Sequence, residues 1–109
     1  TVGFSDDDLA KYNSLKAELY PKAADAYYTK GKSDFLSKNM TEAKTDLETA
    51  LKYASNENFV DDIYYYLGQI AEGEKDTASA KKYYNKIISD YPDSNQIGNA
   101  RNALEGLKE

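Results

Sequence analysis

Residues 64–92 read YYYLGQIAEGEKDTASAKKYYNKIISDYP, and the spacing within this stretch decides the fold. Tyr64, Leu67, Gly68 and Ala71 stand at i, i+3, i+4 and i+7, which is one face of a helix. Gly73 is placed to end that helix, because glycine takes the left-handed conformation after a last turn at no steric cost. Asp76 then caps a second helix, with Ala80, Tyr83, Tyr84, Ile87 and Ile88 as its apolar stripe. Tyr91-Pro92 closes it, since proline has no N–H for the helical ladder and disfavours helical geometry in the residue before it.

The same helix–turn–helix pattern occurs once before, 37 residues upstream. Tyr27 and Tyr28 fall in register with Tyr64 and Tyr65, Gly31 with Gly68, Asn39 with Asp76, Ala43 with Ala80, Leu47 with Tyr84, and Ala50 with Ile87. In this first unit a helix is expected over about 22–38. Asn39 should cap the next, with Glu42 three residues on as a capping-box partner, and that helix carries Ala43, Leu47, Ala50 and Leu51.

The flanks have helix signals of their own. Phe4-Ser5-Asp6-Asp7-Asp8-Leu9 places an N-cap serine before three acids at the positive end of a helix dipole, with Phe4 set to staple onto Leu9. This flanking helix should run over 5–20, stopping before Pro21. At the other end Ser94 can cap a last helix over 94–108 bearing Ile97, Ala100, Leu104 and Leu107. The reading is all-α: about six helices in one domain over 1–109, with units at 22–57 and 59–93 between the flanking and capping helices.

Composition restricts what such a domain does. The 109 residues contain no Cys and no His, so thiolate chemistry, disulfides and the commonest transition-metal ligands are absent. The usual acid–base and nucleophile arrangements are lost with them, and no enzyme or cofactor is expected. A net charge of −5 argues against general affinity for nucleic acid or anionic membrane, which require a basic face. Apolar runs such as IYYYL are far shorter than the ~20 residues of a membrane span, so no membrane insertion is expected. The chain opens on Thr1 without a methionine, and a longer parent chain is part of the expectation.

Two motifs are near misses. Gly31-Lys32-Ser33 resembles the end of a phosphate-binding loop, but Ala26 stands where its first glycine belongs and no strand precedes it. Asp6-Asp7-Asp8 lacks the spacing and glycine of a calcium loop.

Tyr64, Leu67, Gly68, Ala71, Ala80, Tyr84 and Pro92 in the second unit, and Tyr27, Gly31, Ala43, Leu47 and Ala50 in the first, resemble the tetratricopeptide repeat. The first unit departs from that pattern at Lys30, Asp34 and Ser55, and the second at Ile87. The unit length of 37 leaves about three extra residues, most easily housed in SNENF at 55–59. The resemblance implies an α-solenoid of antiparallel helix pairs. Gly68 and Ala80 would then be small because helices of one unit cross there, and Tyr64 and Tyr84 large because they fill gaps between units. Two units bury little apolar surface, so the flanking helices must pack or a homodimer must form. The stretch YYNKIISDYPDSNQIGNA further resembles the repeats of bacterial cell-envelope proteins, implying a bacterial, membrane-anchored parent chain.

Repeats of this kind bind extended peptides or helices on a concave groove lined by the first helix of each unit. Carried over by position, the resemblance gives Asp25, Tyr28 and Lys32 in the first unit and Asp62, Tyr65 and Gln69 in the second. Phe35 and Glu72 lie one turn further on. Tyrosine suits a recognition surface because it offers apolar area and a hydroxyl at low entropic cost. The competing reading is that Tyr28 and Tyr65 simply cover neighbouring helices. A protein or peptide ligand on the groove is the first functional expectation. A self-associating or docking domain of a longer protein is the alternative.

Overall fold

The computed structural model describes residues 6–54 and 58–107, with side chains described from Leu19 onward. Among the described residues there are five helices and no strand. They are α1 (Asp6–Leu36), α2 (Met40–Tyr53), α3 (Val60–Gly73), α4 (Thr77–Asp90) and α5 (Ile97–Gly106). Helix α1 packs on α2, α3 on α4, and α5 on α4, while α2 also touches α3. Phe4, Ser5 and residues 55–57, where the staple, the first cap and most of the extra loop residues are expected, lie outside the described residues.

The helix count is five rather than six because α1 does not stop before Pro21. It runs unbroken for 31 residues with Pro21 inside it. An interior proline forfeits one ladder hydrogen bond and costs about 3 kcal/mol. Packing on either side of it opposes that cost. Ala24 is wholly buried, and the rings of Tyr20 and Tyr27 lie 5.0 and 6.1 Å from that of Tyr53 at the end of α2. The flanking helix and the first repeat helix are therefore one element. The capping helix is also shorter than expected, spanning Ile97–Gly106. Ser94 still contributes, one turn ahead: its Oγ accepts from the Gln96 N–H at 2.9 Å.

The turns between paired helices repeat as closely as the helices. Lys38 (φ 67°) and Lys75 (φ 62°) are the two left-handed residues among those described, 37 apart. In the first turn Lys38 N–H donates to Phe35 O at 3.0 Å and Asn39 N–H to Asp34 O at 2.8 Å. In the second, Lys75 N–H donates to Glu72 O at 3.0 Å and Asp76 N–H to Ala71 O at 2.9 Å. This is the Schellman arrangement, with lysine where glycine is usual. Gly73 ends α3 as expected but does not supply the left-handed residue. Asp76 caps α4, its carboxylate accepting from Ser79 N–H at 3.2 Å; the Ser79 side chain and then this N–H hold it below the usual carboxylate range. Asn39 sits at the N-cap of α2 without a side-chain capping bond, so the expected capping box does not form.

Each pair is held together at one glycine. A β-carbon on Gly31 would lie 2.7 Å from Leu47 Cγ, and one on Gly68 would lie 2.5 Å from Tyr84 Cε1. The crossings are thus Gly31/Leu47 and Gly68/Tyr84, the same two positions of the repeat. Tyr84 is fully buried over Gly68 of its own unit and also clusters with Ala100 of α5, while Tyr64 lies near Tyr83 and Tyr91. Tyr84 thus occupies the space the glycine leaves and also packs toward the next helix, α5. Between the units, Ala43, Leu47 and Ala50 of α2 meet Ile63, Leu67 and Ile70 of α3 in one apolar cluster. Ala71, Ala80, Tyr84, Ile87 and Ala100 form the second, which joins α5. Lys30 fastens α1 to α2, reaching Asp46 at 2.7 Å and Asp34 at 3.1 Å.

Candidate functional site

The second half of α1 and the first half of α3 lie side by side, and three of the expected site residues meet on this seam. The Tyr28 ring stacks on Phe59, with centroids 4.6 Å apart and planes within 5°. The Asp62 carboxylate lies beside Tyr28. Burial, and then the nearby Asp62 charge, push the Tyr28 phenol up to about 12. Phe35, two turns further along α1, lies 4.9 Å from the ring of Tyr66. The result is an aromatic band, Tyr28–Phe59 and Phe35–Tyr66, with Asp62 beside it. All four rings are only partly buried.

The carboxylates at the start of α3 tie this seam to the last helix. Asp62 accepts from Gln96 Nε2 at 2.8 Å, and Asp61 accepts from the Ser94 hydroxyl. Thus Asp62 of α3 lies beside Tyr28 of α1 and is bonded by the residue that opens α5.

Of the remaining expected residues, Tyr65 borders the band at Tyr66, with ring centroids 6.3 Å apart, and brings Gln69 beside it. Tyr65 also leans toward its own unit, 6.1 Å from Tyr84, and its hydroxyl accepts from Gln69 Nε2. Glu72 accepts from the hydroxyl of Tyr84. Tyr65, Gln69 and Glu72 therefore form a second group tied to α4. Asp25 and Lys32 are exposed on α1. Tyr28 and Tyr65 are equivalent by repeat position yet differ in surroundings for a readable reason. Phe59, on which Tyr28 stacks, corresponds 37 residues on to Gln96, which offers no ring to Tyr65.

Two contributors escape the sequence reading. Tyr66 has Thr29 at the equivalent place in the first unit, so the repeat offset assigns it nothing. Helical spacing from Asp62 is the signal that finds it: positions 62, 66 and 69 share a face. Phe59 sits just before α3, in the loop stretch, where no periodicity applies.

Two clefts lie off the band. One, of about 340 Å³, is lined by Asp61, Asp90, Tyr91, Asp93 and Ser94 at the end of α4. The other, of about 290 Å³, lies between Tyr64, Tyr83, Lys82 and Lys86, and Lys86 is paired with Asp90 at 2.9 Å. No group of three or more carboxylates is gathered as a metal site among the described residues. None of the described helices is long and apolar enough to cross a membrane.

Paired antiparallel helices, repeated with glycine crossings and matching turns, define a helical-hairpin repeat protein. Family models of the tetratricopeptide repeat match residues 24–57 and 62–94, one on each unit. The chain is a tetratricopeptide-repeat protein, and repeats of this family mediate protein–protein interaction or assembly. Comparison with curated proteins and with solved structures gave no match.

Proposed function

We propose that this domain is an interaction scaffold in which the two units stack as a short α-solenoid and bind a peptide or helix along the α1/α3 face. The observation that carries this reading is the aromatic band. Tyr28, Phe35, Phe59 and Tyr66 come from both units and form two ring pairs across the α1/α3 seam, all four partly exposed. Rings of this kind provide anchoring area at low entropic cost, and fixed polar groups beside them, here Asp62 and Gln69, orient a ligand. The role is binding rather than catalysis, with no cofactor and no nucleic-acid partner.

A random-peptide display library selected on the domain tests this. Selected peptides should lose at least about tenfold in affinity when Tyr28 and Tyr66 are both replaced by alanine, the loss expected for hot-spot aromatics. Replacing Tyr83, off the band, should change little. Circular dichroism establishes that each variant is folded. Binders indifferent to the Tyr28/Tyr66 pair would contradict the groove reading.

A second reading, self-assembly, is favoured by apolar side chains left in water. Leu36 is 68% exposed and Leu19 53%, and Leu19 lies on the part of α1 that precedes Pro21. Sedimentation velocity over a hundredfold concentration range distinguishes the two: a concentration-dependent dimer supports assembly, and a monomer throughout removes it.

A further inference from the structure

The charge of the α1/α3 face identifies the chemistry of what it binds. The expected groove residues on α1 and the start of α3 carry two acids, Asp25 and Asp62, with Asp61 next to them, against one base, Lys32. What balances these acids matters more than their number. Asp61 and Asp62 are held by neutral donors: the Ser94 hydroxyl and the Gln96 amide. Their charges are therefore fixed in position and not neutralised. Elsewhere the carboxylates have taken up the nearby lysines, Lys30 with Asp34 and Asp46, Lys44 with Glu74, and Lys86 with Asp90. The Tyr28 phenol is raised by burial first and then by Asp62, with Asp61 contributing, which reports the negative potential at the band itself. That potential extends past Asp61 to the cleft that also holds Asp93 and Tyr91.

Resting on the groove reading above, we infer that the partner is a basic peptide segment whose apolar residue lies across Tyr28 and Tyr66 while a lysine or arginine faces Asp25, Asp61 and Asp62. A cation over a tyrosine face gains further attraction from the ring, and an acidic segment would meet like charge along the whole band.

The test uses peptides selected from the random library on the intact chain. They should be enriched in Lys and Arg, and their affinity should fall as salt rises from about 50 to about 500 mM. Two exposed positions then read the sign of the interaction without touching packing. Asp25→Lys should weaken binding roughly three- to tenfold, and Lys32→Glu should strengthen it by a similar factor, as exposed charge pairs of this kind do. Peptides that depend on Tyr28 and Tyr66 but are acidic or neutral, or that ignore both charge reversals, would overturn the basic-partner inference and leave the groove reading standing. Peptides that do not depend on Tyr28 and Tyr66 at all would overturn the groove reading itself.

Discussion

Replacing Gly68 with alanine tests the packing on which the second unit is built. The added β-carbon would lie 2.5 Å from Tyr84 Cε1 and 2.7 Å from Cζ, where ordinary contact is 3.4–4 Å, so the ring must retreat by about an ångström. Tyr84 has little freedom to do so, being fully buried with its hydroxyl held by Glu72. Overpacking of this kind costs about 1–3 kcal/mol. Alanine also favours a helix over glycine by about 1 kcal/mol, which would mask part of the cost. Gly98, at the start of α5, supplies the comparison, because a β-carbon added there would meet nothing within 4 Å. Gly98→Ala should be neutral or stabilising, and Gly68→Ala should fall below it by about 1–3 kcal/mol in urea unfolding. In the double variant Gly68→Ala/Tyr84→Ala the penalty specific to residue 68 should vanish, because the clashing ring is gone. If Gly68→Ala stabilises as much as Gly98→Ala, or the penalty survives removal of Tyr84, the glycine is not there for the crossing.

Three further outcomes follow from the same structure. Lys38→Gly and Lys75→Gly should each stabilise by about 0.5–1 kcal/mol in thermal unfolding, since glycine removes the Cβ clash of a left-handed residue and keeps the turn's hydrogen bonds. Pro21→Ala should stabilise by up to about 3 kcal/mol by restoring a ladder bond within α1; a loss of stability would mean that the helix depends on a bend there. Stability should fall at alkaline pH. The Tyr28 phenol is raised to about 12, and burial shifts Tyr66, Tyr83, Tyr84 and Tyr91 the same way. An unfolded tyrosine ionises near about 10. Above that pH the unfolded chain has released protons that the native chain retains, so the stabilisation is complete below about 10 and is lost as pH rises through about 12. Absorbance titration of phenolate should show a delayed set of tyrosines that ionise with unfolding, and a single transition at the unfolded value would contradict it.

The fold is legible because the repeat imposes its signature at several levels at once. Gly31 and Gly68, Leu47 and Tyr84, and Asn39 and Asp76 mark the crossings and turns by position alone, and the structure places the crossing and turn features at those positions. A sixth helix is expected only because Pro21 is a local stop signal, whereas the contacts of Tyr20 and Tyr27 with Tyr53 come from another helix. The left-handed lysines are hidden for a similar reason: Gly73 is the obvious candidate by residue type, and the hydrogen bonds that choose Lys75 are set by where the helices end. At the candidate site, the family resemblance brings out Tyr28 and Asp62, which do lie together. It does not reveal that Tyr65 turns toward Tyr84, because that depends on Gln96 replacing a ring in the next element.

The central claim is that the α1/α3 face is the binding surface, and backbone amide shift mapping with a selected peptide tests it most directly. The largest shifts should fall on Asp25, Tyr28, Lys32 and Phe35 of α1 and on Asp62, Tyr66 and Gln69 of α3. Shifts centred instead on Lys82, Tyr83 and Lys86 of α4, with α1 and α3 unmoved, would contradict it.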